Sequence, residues 1–217
     1  MGNSEFLNYL LRFPTEETQQ LPSLKDLSQE LGISISTLRE QLQVAKALGL
    51  VDVRPRLGIR PQPYSFTPAV DASLCYAIEQ DRSHFEDFVD LRRHLELAYF
   101  PRALDLLQEE DYQELRQLVA SAWQKLRGKP ARIPHQEHRQ LHLAFYRRLE
   151  NVFVTGLLEA YWDAYEAVGL NVYTDFEYLE QVWTYHEELV EIAIAKDKSR
   201  GRKILLEHFE LMDRMVR

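Results

Sequence analysis

Apolar side chains recur at helical spacing along most of this chain, and the spacing places three short helices near its start. It predicts a first helix over residues 3–13, a second from Ser23 to about Leu31, and a third that begins after Ser34. Ser23 and Asp26 form a capping-box pattern, and Ser34 is a residue type that caps helices. The third helix is expected to bury one face, formed by Leu38, Leu42, either Val44 or Ala45, and Leu48.

Polar and apolar residues alternate only after these helices, in LVDVRP (50–55) and GIRPQPY (58–64). The alternation predicts two short strands joined by a turn at Arg56, Leu57 and Gly58. Three helices followed by such a hairpin are typical of a winged helix-turn-helix domain.

A proline-rich stretch, RPQPYSFTPAVDAS (60–73), follows the hairpin, and we expect the helical pattern to resume only after Pro68. Helices are then predicted over about 71–80, 83–108, 110–127, 136–150, 152–170, 175–196 and 200–216. The sequence therefore predicts a mainly α protein. It has a winged helix-turn-helix domain over 1–66, a linker and first helix of the next domain over 67–82, and an all-α antiparallel helical bundle over 83–217.

The charge is unevenly distributed, and this decides where nucleic acid could bind. Residues 1–66 carry equal numbers of basic and acidic side chains, so the remainder carries the whole net charge of -8. DNA binding must therefore depend on a local patch in the first domain. No apolar run is long enough for a membrane span, no export signal is seen, and the single cysteine, Cys75, favours a reducing cytoplasm.

The second helix of a helix-turn-helix places its first residues at the base edges of the major groove. Hydroxyls and an arginine fork at these positions suit phosphates and guanine. The candidates for DNA contact are Ser34, Ser36, Thr37 and Arg39 on this helix, Lys25 on the helix before it, and Arg54, Arg56 and Arg60 on the hairpin. The alternative is that these are ordinary solvated side chains.

The stretch LPSLKDLSQELGISISTLREQLQVAKALGLVDVRPRLGIRP (21–61) resembles the N-terminal domain of GntR-family transcription regulators. Its landmarks are the LPS opening, the LGIS turn, the LRE of the third helix and the RP-x-x-G wing. The resemblance implies DNA contacts from Lys25, Ser34, Ser36, Arg39 and the wing around Arg56 and Gly58. The sequence departs from the family at Ile35 and Lys25, where arginine is usual, and at Arg56-Leu57, where Gly-Arg is usual.

Four of the seven histidines have spacings that suit a metal site. His138 and His142 are four residues apart and share one helix face, while His186 and His208 fall on two other predicted helices. Ligands from several helices of a bundle can meet at one ion. A helix histidine is more often a surface or core-edge residue, which is how we interpret His84 and His94. His135 could look onto the same face as His138, but we interpret it as part of the loop or the helix start and not as a ligand.

Residues 83–217 resemble the FCD ligand-binding domain of the FadR subfamily. The matching pieces are FVDLRRHLE (88–96), HRQLHLAFYRRLEN (138–151) and HEELVEIAIAKDKSRGRKILLEH (186–208). The resemblance implies a divalent ion held by one aspartate and three histidines, and His142, His186 and His208 match the histidines. His138 stands at the aspartate position and could be a fourth ligand, since imidazole also binds metals. The alternative is that His138 turns away, which would leave three ligands or no metal. Four nitrogen ligands favour Zn, Ni, Co or Cu over Mg or Mn, with Zn or Ni expected.

Arg92 matches a family arginine that faces the effector, so the resemblance implies a small carboxylate ligand beside the metal. The alternative for Arg92 is an ion pair with Glu96 on the helix surface, worth a few tenths of a kcal/mol. Tyr146, Trp162 and Tyr165 are nearby aromatic candidates, which are more often core residues.

The expected function is a cytoplasmic transcription regulator, and a repressor by default. It would bind operator DNA as a homodimer under control of the carboxylate. One alternative is a metal-free regulator that senses an acyl chain, an apolar ligand or a protein partner. A metal-dependent hydrolase is disfavoured because no general base is well placed, so we expect no enzyme activity.

Overall fold

The structure, a computed structural model, describes residues 4–13, 20–55, 58–169 and 175–216, with side chains through residue 211. The chain divides into two compact units, Met1–Ser73 and Leu74–Arg217.

Over the described residues up to Pro61, the first unit contains three helices and one antiparallel hairpin, as the hydrophobic pattern predicts. These elements are α1 (Glu5–Leu10), α2 (Leu24–Leu31), α3 (Ile35–Ala47), β1 (Val51–Arg54) and β2 (Gly58–Pro61). Val51 pairs with Pro61 at one end of the hairpin and Arg54 pairs with Gly58 at the other. Arg56 and Leu57, predicted in its turn, lie outside the described residues.

Local capping sets the bounds of α2 and α3. The hydroxyl of Ser23 accepts a hydrogen bond from the backbone N–H of Asp26, and that of Ser34 accepts one from the N–H of Thr37. Gly32 ends α2 with φ of 67°, a left-handed conformation that glycine adopts without steric cost. The capped turn between the two helices is therefore encoded within a few residues.

The core of the first unit fixes how α3 lies on the other elements. Of the two alternatives for its buried face, Ala45 is buried and Val44 is 51% exposed. Gln41 also ties α3 to α1, because its Oε1 accepts hydrogen bonds from the N–H of Phe6 and the hydroxyl of Ser4. The buried core residues are Phe6, Leu21, Leu27, Leu38, Leu42, Ala45, Val51 and Ile59.

In the described part of the second unit, all regular secondary structure is helical. Its elements are α4 (Thr67–Gln80, which begins in the first unit), α5 (Ser83–Leu106), α6 (Glu109–Leu126), α7 (His135–Tyr146), a 3-10 turn (Arg147–Leu149), α8 (Val152–Ala167), α9 (Phe176–Ala195) and α10 (Lys198–Val216). Helix α9 packs against α6 and α10, and α5 packs against α7, α8 and α10. Within the described ranges, no helix is both long enough and apolar enough to cross a membrane.

The predicted start of α4 is wrong. Helix α4 begins at Thr67 and includes Pro68, although the proline was expected to delay the helix to residue 71. A proline in the first turn costs nothing there, because the first N–H groups of a helix have no partner within the helix.

The caps predict a local effect on stability. Replacement of Ser34 by alanine should lower the free energy of unfolding by about 1 kcal/mol, because the N–H of Thr37 loses its acceptor. Ser36→Ala is the matched control, since this exposed hydroxyl is not the cap, and it should change stability by less than about 0.5 kcal/mol. Urea denaturation measures both variants, and equal effects would contradict the assignment of the cap.

Candidate metal centre and DNA-binding surface

The fold brings His138, His142, His186 and His208 to one point in the interior of the second unit. Each has a potential ligand atom, and these four atoms all lie within 4.8 Å of one another. Two of the residues come from α7, one from α9 and one from α10, and all four are buried. The described residues contain a compact set of nitrogen donors contributed by three helices.

Four of the eight imidazole nitrogens have no hydrogen-bond partner among the described residues. The unpartnered atoms are Nε2 of His138, Nδ1 of His186, and both nitrogens of His208. The remaining contact within the cluster joins Nε2 of His142 to Nε2 of His186 at 3.1 Å. A buried polar atom without a partner costs about 1–3 kcal/mol, so this arrangement favours a ligand bound between the rings.

Burial keeps the four imidazoles neutral. Desolvation lowers the pKa of His138, His186 and His208 well below the usual value, and neighbouring rings and Arg92 lower it further. Desolvation also lowers the pKa of His142, although Glu96 opposes this shift. Neutral imidazole is the form that binds a metal ion.

Arg92 and Glu96 on α5 form a buried ion pair beside the cluster. Nε of Arg92 donates to Oε1 of Glu96 at 2.5 Å, and the two residues are 2% and 1% exposed. The alternative for Arg92, an ion pair with Glu96, is therefore confirmed, but the pair lies in the interior and not on the helix surface. Arg92 and His142 lower the pKa of Glu96 to about 2 despite its burial, so this carboxyl is ionised.

Glu96 and Arg92 both contact the ring of His142. The ionised Oε2 of Glu96 lies 2.9 Å from Nδ1 of His142 and can only accept a hydrogen bond, whereas Nη2 of Arg92 lies 3.0 Å from the same nitrogen and can only donate one. The two contacts favour opposite tautomers of His142, and both lie on the side of the ring away from Nε2, which contacts His186. A carboxylate behind a histidine in this way orients metal ligands in many sites. Sequence reasoning did not assign Glu96 to the site, although its spacing from Phe85, Arg92 and Phe100 puts it on the buried stripe of α5.

The donor set fits a transition-metal ion. Nitrogens around one zinc ion lie about 3.4 Å apart, since Zn–N bonds are about 2.1 Å long. The most distant potential ligand atoms, at up to 4.8 Å, would approach through small side-chain rotations. His135, the first residue of α7, is outside this set, since its Nε2 lies 2.9 Å from Oε1 of Glu166 near the end of α8.

The guanidinium of Arg92 also faces aromatic rings. It lies 4.1 Å from the ring centroid of Tyr161 and 5.0 Å from that of Trp162. Nη1 of Arg92 and Nε1 of Trp162 have no hydrogen-bond partner in the part of the chain that the structure describes. Trp162 packs edge-on against His138, with ring centroids 4.7 Å apart, so these two donors lie beside the histidines.

The predicted DNA-contacting residues of the first unit are exposed wherever they are described. Lys25 lies in the first turn of α2, and Ser36 and Arg39 lie on the exposed face of α3. The hydroxyls of Ser34 and Thr37 lie 2.9 Å apart at the cap of α3, so both are already engaged in local contacts.

On the hairpin, Nε of Arg54 donates to Asp52 at 2.6 Å, which offsets part of its charge. Gly58 has φ of +73°, and a Cβ at this position would collide with the side-chain amide of Gln20. Its role in the wing is thus conformational. Arg56 lies outside the described residues.

Comparison with known proteins gives a consistent result. The model of the FCD domain matches residues 87–211. The Uxu operon transcriptional regulator of Escherichia coli K12 is 23% identical over 209 residues, which cover 93% of this chain and 79% of that protein.

Two solved structures share the fold. Streptococcus agalactiae GntR has a TM-score of 0.68 at 16% identity, over 97% of this chain and 96% of that one. E. coli McbR/YncC has a TM-score of 0.55 at 21% identity, over 99% and 97%.

The fold and the similar proteins define a class of transcription regulators rather than enzymes. The chain belongs to the FCD domain family and is a transcription regulator of the GntR family.

The buried ion pair predicts a large effect of a small substitution. Glu96→Gln should lower the free energy of unfolding by about 3–5 kcal/mol, because Arg92 stays charged without a buried partner. Asp105→Asn on the same helix removes an exposed ion pair with Lys198 and should cost less than about 1 kcal/mol. Urea unfolding with a chelator present measures both variants, and similar losses would contradict the buried geometry.

Proposed function

We propose that this protein is a metal-dependent regulator of the FadR subfamily whose affinity for operator DNA changes when a small carboxylate binds. The first unit would read the DNA, and the second would hold the ion and the effector. The protein would act in the cytoplasm as a homodimer on a roughly palindromic operator, because a two-fold symmetric protein reads two equal half-sites. Repression relieved by the effector is the form of regulation we propose.

The DNA-binding half of the proposal rests on a group of exposed side chains at the start of α3. Ser36 and Arg39 are exposed there, and Lys25 is exposed near the start of α2. An arginine fork matches the two acceptors of guanine in the major groove, while a lysine suits a phosphate. The wing would add Arg54, Arg56 and Gly58 to this surface.

The observation that carries the metal proposal is the set of four neutral, buried imidazoles, three of which have unpartnered nitrogens within the described residues. His138, His142, His186 and His208 would hold the ion, and their nitrogen donors favour Zn or Ni over Mg or Mn. Once bound, the ion would supply a positive centre that attracts anions. Glu96 would orient His142 for this role through its contact with Nδ1.

The preference for a carboxylate follows from the charges around the histidines. Arg92 and Glu96 neutralise each other and the imidazoles are neutral, so a divalent ion would leave the interior with a net positive charge. Nη1 of Arg92 could donate to the effector without breaking the ion pair, which uses Nε. Trp162 Nε1 would be a second donor.

Elemental analysis tests the metal site. The chain, purified without a chelator or a histidine tag, should contain about one Zn or Ni, and His142→Ala should lose it because one ligand of the set is removed. His138→Ala tests the position where the family has aspartate, and should also bind the ion more weakly. His94→Ala, an exposed histidine outside the cluster, should keep it. No ion in the wild type, even after Zn or Ni is added, would contradict the site and favour an apolar effector or a protein partner.

Operator binding tests the regulatory link. After selection of a preferred duplex from a random pool, small mono-, di- and tricarboxylates should be screened for an effect on affinity. We expect an active carboxylate to change the affinity by about 5–150-fold, the usual range of allosteric coupling, and to have no effect on His142→Ala. Arg39→Ala should lose operator binding and keep the metal. If a carboxylate still changes the operator affinity of His142→Ala, the proposed link between the metal site and DNA binding is contradicted.

A further inference from the structure

Ile35 is an apolar side chain on the exposed face of the helix that we expect to enter the major groove. It is the first residue of α3, directly after the cap Ser34, and it is 40% exposed. The core of the first unit does not include it, whereas Ile33, just before the cap, packs against that core. The fold thus uses one of these two isoleucines for packing and leaves the other at the surface.

Nothing in local helix chemistry favours isoleucine at this position. Its β-branched side chain has a lower helix propensity than alanine, and exposed apolar surface is unfavourable in water. The same stiffness reduces the entropy that the side chain would lose in a contact. Ile35 is therefore well suited to an apolar surface that the free protein does not contain.

Ile35 belongs to a strip of three exposed side chains along α3. Arg39 and Gln43 follow it at intervals of four residues, which keeps all three on neighbouring positions of one helix face. In the major groove, arginine suits guanine, glutamine suits adenine, and an apolar side chain suits the C5-methyl group of thymine. The three side chains of this strip are therefore suited to contact three different bases.

We propose that Ile35 reads the methyl group of a thymine in each operator half-site. This inference rests on the proposed DNA-binding function and adds a specificity residue to it. Four residues of helix advance about 6 Å, and a base step about 3.4 Å, so this thymine lies within about two base pairs of the base that Arg39 contacts.

Deoxyuridine provides the test, because it pairs as thymidine does and lacks only the methyl group. A duplex selected from a random pool by the full-length protein is resynthesised with deoxyuridine at each thymine in turn. At one thymine in each half-site, we expect the substitution to weaken wild-type binding about fourfold, the value of one buried methyl group. Ile35→Ala should bind both duplexes equally.

Val44→Ala is the matched control. Val44 is also apolar, β-branched and exposed, but nine residues further along it lies on the opposite side of α3. This variant should keep the wild-type response to deoxyuridine. Both variants should unfold at the wild-type temperature, because neither side chain belongs to the core.

The outcomes separate the two proposals. If the random pool yields no preferred sequence, the proposed DNA-binding function is wrong, and this inference fails with it. If a sequence is selected but Ile35→Ala shows the wild-type loss at every thymine, DNA binding stands and the role of Ile35 is overturned. That role is also overturned if no thymine methyl group affects wild-type binding.

Discussion

Charged and titratable side chains in the interior of the second unit need partners there, because the surrounding helices exclude water. Glu96 meets this requirement for two groups at once, since its two oxygens contact Arg92 and His142. Helices α5 and α7 are therefore held at a separation set by hydrogen-bond lengths as well as by apolar packing. This carboxylate also helps to orient the ring of His142, whose Nε2 contacts His186.

The same constraint leaves other polar atoms without partners. Nitrogens of His138, His186 and His208 and the donors of Arg92 and Trp162 all come from the region around that carboxylate, within the described residues. Unpartnered acceptors next to unpartnered donors suit a cation and an anion bound side by side. Our proposal of a metal ion with a carboxylate effector follows from this pairing of chemistries.

The first unit differs from the second because the side chains that we propose to bind DNA lie on its surface. Its small core holds α3 through Leu38, Leu42 and Ala45, and its caps use side chains within a turn of each helix. The side of α3 that carries Ile35 and Arg39 is exposed to solvent. Such a surface contributes little to stability, so its composition can suit a particular DNA sequence.

The sequence alone determined most helices and their caps, because these depend on contacts within about four residues. It also determined the hairpin, whose paired residues are at most ten positions apart. It also indicated the four histidines, through helical spacing and a family resemblance. Only the tertiary structure decided that Ala45 rather than Val44 is buried, and that the Arg92–Glu96 pair is internal. Glu96 contacts a histidine 46 residues away. Burial and contacts of this kind depend on distant neighbours, which spacing along one helix cannot specify.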